Sequence, residues 1–339
     1  MSGALVRDIP LERYRQEVAP LCLTAVAVAP GGPPVDVVAF DRALLAVPQF
    51  FPITLDRHAF RDRFAIPGFY LDAIYDALFG EEIAASLTPR IEALRAAPPA
   101  NRPTFVLGGS DNHFHWLLDF LPRLALLGHD PAWRRALIVT DRVDAGRQAA
   151  IDLVRDAYDL PPLELRSLAP GLSGLRAALV PTALAHAVSI AVWRRVAAHH
   201  CPSAAARRRL FLRRGTVARR RLSNEEAVAA RLAAAGFETV DPGALALESQ
   251  MRLFAEAAIV VGTHGAALAN VAFMPAGGTL VEIVADQAPS PFPALARAAG
   301  LTYGRVAVEV PPGTPAERLN ADLAAPLAAI DTLVKRLAG

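Results

Sequence analysis

The stretch that most constrains this chain runs from Val260 to Ile283, VVGTHGAALANVAFMPAGGTLVEI. A β-rich apolar run, Ala258 to Val261, stops at Gly262, and the small residues Gly265 to Ala269 are suited to open a helix directly after it. Strand, tight turn and helix N-terminus in that order aim several backbone N–H groups and the positive end of a helix dipole at one point. Gly265 and Ala266 put no bulk in the way, so the turn can cradle a phosphate or diphosphate. The same small residues also suit plain close packing of a helix on a strand, and the stretch alone leaves both readings standing.

The surrounding chain repeats this rhythm. From Arg207 onward it reads as strand RLFLRR, helix SNEEAVAARLAAAG, strand FETV, helix ALESQMRLFAEA, strand AIVVG and strand TLVEIV. Ser223 and Glu226 have capping-box spacing, and Gly236 stands where a helix ends in a left-handed residue. Upstream, Thr104 to Leu107 reads as a strand, GGSDN as a loop, His113 to Leu127 as a helix, Ala136 to Val139 as a strand and Ala145 to Tyr158 as a helix. Leu175 to Val180 and Ile190 to His200 add a further strand and helix. Such alternation predicts an α/β protein built from right-handed βαβ units on parallel sheets.

Residues 1 to about 60 alternate apolar runs with turns such as APGGPP, which predicts a small antiparallel β element. Pro67 to Ala97 then carries Leu71, Ile74, Tyr75 and Leu78 at helix spacing until APPANRP breaks the chain. The expected division is 1–99 as an N-terminal β and helical extension, 100–203 as one α/β unit and 204–339 as another with a C-terminal helix, CPSAAA being the hinge. Two such halves would leave a cleft at the carboxyl ends of their strands, where open α/β sheets bind ligands.

The chain's 339 residues and 53% hydrophobic content supply two cores. A net charge of +2 argues against a protein that binds polyanions with its whole surface. Cys22 and Cys201 match neither a zinc spacing nor a disulfide framework, which favours a reducing compartment. The N-terminus MSGALVRDIPLERYRQE has charges where a signal sequence would need an apolar core, and no uncharged apolar run is long enough to span a bilayer. These features predict a soluble cytoplasmic protein, with peripheral membrane contact left open.

Three constellations could carry chemistry. In GGSDNHFHWLLDFLPRL, a helix from His113 puts His115, Asp119 and Arg123 at successive four-residue steps on one face, with Pro122 set to kink or end it. That face could hold an acid-base pair, or only an ordinary surface ion pair beside a packing histidine. In RRRLFLRRGTVARRR, eight arginines fall within fifteen residues, and Arg213 and Arg214 follow the carboxyl end of a strand, where a guanidinium fork could hold phosphate. Only Phe211 interleaves with the arginines, so base stacking and hence nucleic-acid binding have little support. In the third, His264 could donate to a phosphate or cap a helix, and Glu282 could accept ribose hydroxyls or pair with a cation.

The sequence lacks Asp-x-Asp, His-Glu-x-x-His, Gly-x-Ser-x-Gly and the Walker phosphate loop, which leaves metal-held, zinc and serine-hydrolase chemistry without a motif. A site that stabilises a departing diphosphate without magnesium would need arginines and a helix N-terminus instead.

Taken in order, DNHFHWLLDFLPRL, LFLRRGTVARRRLSNEEAVAARLAAAGFETVDPGAL and FAEAAIVVGTHGAALANVAFMPAGGTLVEI resemble glycosyltransferase family 61 across roughly residues 100 to 285. The resemblance implies a GT-B-type fold of two Rossmann-like domains facing across a cleft, the acceptor domain being 100–203 and the nucleotide-sugar domain 204–339. It also implies a nucleotide-sugar donor, usually a UDP-sugar, a glycan or other hydroxyl acceptor, inversion at the anomeric carbon, and neither cofactor nor essential metal. The family's motif positions fall on Asn112, His115 and Asp119, then Arg213, Arg220, Arg221 and Asn224, then His264, Gly265, Ala266, Asn270 and Glu282. Ala267 departs from the glycine usual there, and His113 from the usual aromatic.

On this reading Asp119 or His115 is the base, the two working as a pair. Arg213, Arg221 and the amides after His264 stabilise the leaving diphosphate, and Glu282 holds the ribose. The expected role is polysaccharide biosynthesis. A catalytically silent sugar-nucleotide or glycan-binding module of the same fold, and a nucleic-acid-binding protein working through Arg207 to Arg221, are the competing classes. No motif fixes the donor sugar, the acceptor, the linkage or the oligomeric state.

Overall fold

A computed structural model describes residues 6–64, 81–202, 205–214 and 220–338. The helical reading of Leu71 to Leu78 and part of the arginine-rich run lie outside the described residues, as do Ser203 and Ala204 of the expected hinge. The chain divides into two compact units, Met1–Val192 and Trp193–Gly339, and the division falls within the helix His186–His200.

The first unit is organised on a nine-stranded mixed sheet. Its strands are β1 (Arg7–Asp8), β2 (Cys22–Val26), β3 (Val35–Val47), β4 (Phe51–Ile53), β5 (His58–Ala59), β6 (Thr104–Val106), β7 (Leu137–Thr140), β8 (Glu164–Ser167) and β9 (Gly171–Pro181). Their order is β1-β5-β4-β3-β9-β6-β7-β8, with β2 also paired to β3. Strands β9, β6, β7 and β8 run parallel, whereas β3 pairs antiparallel with β2, β4 and β9. The antiparallel element expected at the N-terminus is therefore present, but it does not end at residue 99. β3 joins β9 from Val37–Pro181 to Val47–Gly171, so strands on both sides of APPANRP share one sheet. Two long apolar strands with matched buried faces outweigh the break that the proline-rich linker suggests.

The second unit holds a five-stranded, wholly parallel sheet of β10 (Arg208–Leu212), β11 (Glu238–Val240), β12 (Ala257–Thr263), β13 (Thr279–Ala285) and β14 (Thr302–Val308). The spatial order is β11-β10-β12-β13-β14, a doubly wound sheet whose direction of winding reverses between β10 and β12. β12 and β13 read as continuous apolar runs because both of their faces are covered; Val260, Val261, Leu280 and Val281 are at most 1% exposed. One face carries Phe211, Val261, Val281 and Ile283, packed with Val228 and Leu232 of helix Glu225–Ala233 and with Ile330 of helix Leu327–Ala338. On the other side helices Leu247–Ala255 and Phe292–Ala298 pack against the segment Ala266–Phe273.

Three local expectations are corrected. His113–His115 forms one α-turn, Trp116–Phe120 a π-turn and Leu121–His129 a 3-10 helix, in place of one long helix. Pro122 has no N–H to return to the carbonyl of Leu118, and that carbonyl instead accepts from Ser189 Oγ at 2.5 Å. The segment after Gly265 is 3-10 rather than α, being only eight residues long before Met274 and Pro275 end it. The capping box at Ser223 does not form: Asn224 is the N-cap, Ser223 Oγ donates to the carbonyl of Leu323 at 3.0 Å, and Glu226 pairs with Arg213. Gly236, at φ +79°, does end that helix, with the Phe237 N–H reaching the Leu232 carbonyl at 3.1 Å.

Candidate active-site mouths

In the first unit the winding reverses between β6 and β9, and a histidine follows the carboxyl end of each strand: His115 after β6 and His186 after β9. The loop from Gly108 to Asn112 is tightly built. A side chain on Gly108, at φ +80°, would strike the Phe120 ring at 2.4 Å, and one on Gly109 would strike Asp141 Oδ1 at 2.0 Å. Thr140 Oγ1 donates to the Gly108 carbonyl at 2.8 Å, and the buried Arg147 donates to the Ser110 carbonyl at 2.6 Å and to Asp141 at 3.0 Å. The same guanidinium lies 3.7 Å from the centre of the Trp116 ring, which takes its flat face. Asn112, expected among the donor-binding residues, serves here as N-cap, accepting from the Phe114 N–H at 2.9 Å.

On that support His115 Nδ1 and Asp119 Oδ2 stand 2.7 Å apart. The π-turn, closed by the Leu121 N–H on the Trp116 carbonyl, carries Asp119 into the interior. Arg123 is buried behind it, 4.9 Å from the Phe120 ring centre, with its Nη1 3.4 Å from the Leu107 carbonyl. Burial holds the Arg123 guanidinium down to about 10, and the charge of Asp119 pulls it back up. His186 was missed from the sequence. Its ring meets Phe114 edge-on at 6.0 Å, and burial lowers its pKa against the opposing charge of Asp119. The signal was available only as a histidine directly after an apolar strand.

In the second unit strand parity decides which side chains gather. Leu212 pairs with Gly262, and Gly262 with Glu282, so Arg214, His264 and Glu282 share one face, while Arg213 shares the other with Phe211. Arg214 Nη1 donates to the His264 carbonyl at 3.1 Å, at the carboxyl ends of the strands where the winding reverses. Burial first, and the neighbouring charge of Arg220 second, hold its guanidinium down to about 10, with Glu225 opposing. Gly265 is extended, and a side chain there would stand 1.8 Å from Arg214 Nη1. Beside this mouth a cavity of about 370 Å³ is lined by Arg214, Arg221, Leu222, Ser223, Glu225 and Asp322.

The other expected donor residues are placed differently. Arg213 pairs with Glu225 at 3.2 Å and with Glu226. Arg221 makes a two-pronged pair with Asp322 at 2.9 and 2.6 Å. Asn224 ties its amide to the backbone of Ala325 at 2.8 and 3.0 Å, and the buried Asn270 donates to Gln250 at 2.6 Å. Ala266 is half-buried in the turn, next to the buried Gly265. Glu282 is 0% exposed, and its carboxylate accepts from His264 Nδ1, from Ser290 Oγ at 2.9 and 3.0 Å and from Tyr303 Oη at 2.5 Å. That geometry fits the anchoring of His264 rather than the ribose contact expected of Glu282. Arg208, in the arginine-rich run, is likewise engaged with Glu238 and Glu256.

Among the described residues no group of three or more histidine, cysteine, aspartate or glutamate side chains could hold a metal ion, and no helix is long and apolar enough to cross a membrane. A doubly wound parallel sheet with arginine and histidine at its reversal point defines, as a class, an α/β protein with a mouth suited to an anionic ligand. Residues 113–281 match the family model described as Glycosyltransferase 61, and the chain belongs to that family; it is a glycosyltransferase. The match begins at His113 and stops one residue short of Glu282. No curated protein matches the chain.

Proposed function

We propose that this glycosyltransferase moves a sugar from a nucleoside-diphosphate donor of the UDP class to a glycan or other hydroxyl acceptor, with inversion and without an essential metal, in the assembly of a polysaccharide. The observation that carries the donor half is the contact of Arg214 with the His264 carbonyl at the reversal point of the parallel sheet. A diphosphate at that point would meet a guanidinium, the His264 ring and the amides after Gly265, all fixed before the ligand arrives. Arg214 takes the role that the sequence had given to Arg213 and Arg221.

The first unit supplies the base. Asp119 accepts the Nδ1 proton of His115, which leaves Nε2 as the free lone pair on the more exposed member of the pair. Nε2 takes the proton of the acceptor hydroxyl as its oxygen bonds to the anomeric carbon, and the electron pair of the breaking bond leaves on the diphosphate. The buried guanidinium of Arg123 stands behind Asp119 as the opposite charge. Pairing of the two units in the GT-B manner is part of this proposal.

The test is a thermal-shift screen of nucleotide sugars and nucleoside diphosphates, followed by turnover with an acceptor panel in the presence of EDTA. Selective stabilisation by uridine nucleotides, acceptor-dependent UDP release and indifference to EDTA are expected. If no nucleotide raises the melting temperature, the donor assignment fails. If EDTA abolishes turnover, the metal-independent mechanism fails.

A further inference from the structure

The linker APPANRP, Ala97–Pro103, breaks the sequence without entering the chemistry proposed above, and in the fold it helps to enclose a cavity of about 220 Å³ in the first unit. It contributes Asn101 and Arg102, while β9 contributes Leu175 and Arg176. Register sets Thr104 beside Leu137 and Val139 beside Arg166, so β6, β7 and β8 turn these four residues to one face. The cavity is separate from the His115 mouth, since Thr104 opens β6 and His115 follows the other end of that strand.

Charge distinguishes this cavity. Three guanidinium groups line it, and among the described residues that line it there is no carboxylate; the cavity beside the donor mouth instead sets Glu225 and Asp322 against Arg214 and Arg221. Arg102 pairs with Glu164 at 2.6 Å, and Arg176 donates through Nη1 to the Pro98 carbonyl at 2.6 Å, which holds both while leaving each with further N–H groups. Arg166 forms no hydrogen bond or ion pair among the described residues, and neither does the side chain of Asn101 or Thr104.

Guanidinium forks match the oxygens of a carboxylate or a phosphate. The Asn101 amide and the Thr104 hydroxyl suit sugar hydroxyls, and Leu137, Leu168 and Leu175 offer apolar surface to the C–H groups of a ring. The volume is below the range of about 300–1,000 Å³ usual for drug-sized ligands, which leaves room for about one sugar unit. We infer that this cavity is a second sugar site that binds an acidic unit of the glycan acceptor, with its carboxylate or phosphate among Arg102, Arg166 and Arg176 and its hydroxyls on Asn101 and Thr104. The bound unit is not the one that His115 deprotonates; it anchors the glycan from a distance. The acceptor role rests on the transfer reading above, whereas the binding does not.

The experiment is a ligand-observed NMR titration of the full chain with glucuronate, glucose 6-phosphate, glucose and inorganic phosphate at one ionic strength, so that screening is equal in every arm. At least one charged sugar is expected to bind about tenfold or more tightly than glucose and than inorganic phosphate, and the tighter of the two tells carboxylate from phosphate. Arg166→Ala removes a side chain with no protein partner, and Arg102→Ala removes one surface pair; each should weaken charged-sugar binding about 3- to 30-fold, and His115→Ala should not. In transfer assays an acidic glycan should show a lower KM than its neutral counterpart, and Arg166→Ala should erase that difference while kcat and the donor KM are kept. Charged sugars that bind no better than glucose, inorganic phosphate that binds as well as the charged sugars, indifference to both arginine variants, or equal KM for acidic and neutral glycans each overturn the inference alone. Charged-sugar binding that depends on Arg166, in a protein that turns over no nucleotide sugar, upholds the site and defeats the transfer reading.

Discussion

His115 and Asp119 form a pair in which one member is buried and the other reaches solvent: Nδ1 and Oδ2 are 2.7 Å apart, and the side chains are 32% and 7% exposed respectively. An orienting carboxylate needs enclosure, and a base that must meet a substrate does not, so the asymmetry assigns the roles. His115→Ala is expected to lower kcat by about 10²- to 10⁴-fold, the usual contribution of a general base, with nucleotide affinity unchanged. Asp119→Asn should lower it too, by releasing the ring from its tautomer. Near-normal turnover in the His115 variant would remove it from the chemistry.

Arg213 and Arg214 are adjacent in the chain and opposite in outcome. Arg213→Ala breaks pairs with Glu225 and Glu226 on the face covered by helix Glu225–Ala233 and should change nucleotide affinity by less than about threefold. Arg214→Ala removes a charge-assisted donor from the mouth and should weaken binding about 10- to 100-fold. Isothermal titration of both variants with the same nucleotide decides it, and the reverse ranking would defeat the assignment.

Gly265→Ala separates binding from stability. At φ 173° the backbone accepts any residue, but the new methyl would occupy the space of the Arg214 guanidinium. The melting temperature should hardly change while nucleotide affinity falls in the same direction as in Arg214→Ala. Unchanged affinity would show that the guanidinium can move aside and still bind.

Ser189→Ala tests the break at Pro122. Removing the hydroxyl leaves the Leu118 carbonyl buried without its donor, expected to cost about 1–3 kcal/mol. Pro122→Ala in that background returns an N–H to the same region and should recover part of the loss. A thermal-melt comparison of the single and double variants reads this directly.

Much of the second unit was legible from the sequence, since β10, β12 and β13 are bounded by turn residues and each buries a short apolar run. The parity that separates Arg213 from Arg214 was legible too: Phe211 and Arg213 alternate with Leu212 and Arg214 along one strand. What parity does not reveal is which face receives the helix carrying Glu225 and Glu226. The long helix read from His113 to Leu127 failed for a local reason and a distant one. Pro122 announces a break, but whether the chain bends, frays or tightens depends on Ser189 reaching the freed carbonyl of Leu118, seventy-one residues before it. The capping box at Ser223 failed because the carbonyl of Leu323 and the charge of Arg213 compete for its two members.

The sequence by itself determined where strands and helices alternate, where proline and glycine interrupt them, and that histidine, aspartate and arginine stand at strand ends. These follow from backbone sterics and side-chain period, which act over a few residues. Only the tertiary structure decided that β3 lies beside β9, that His186 comes into the field of Asp119, and that Glu282 is enclosed by Ser290 and Tyr303. Each is a pairing between segments far apart in the chain, selected by which arrangement buries apolar faces while giving every enclosed charge a partner, and no local pattern encodes that choice.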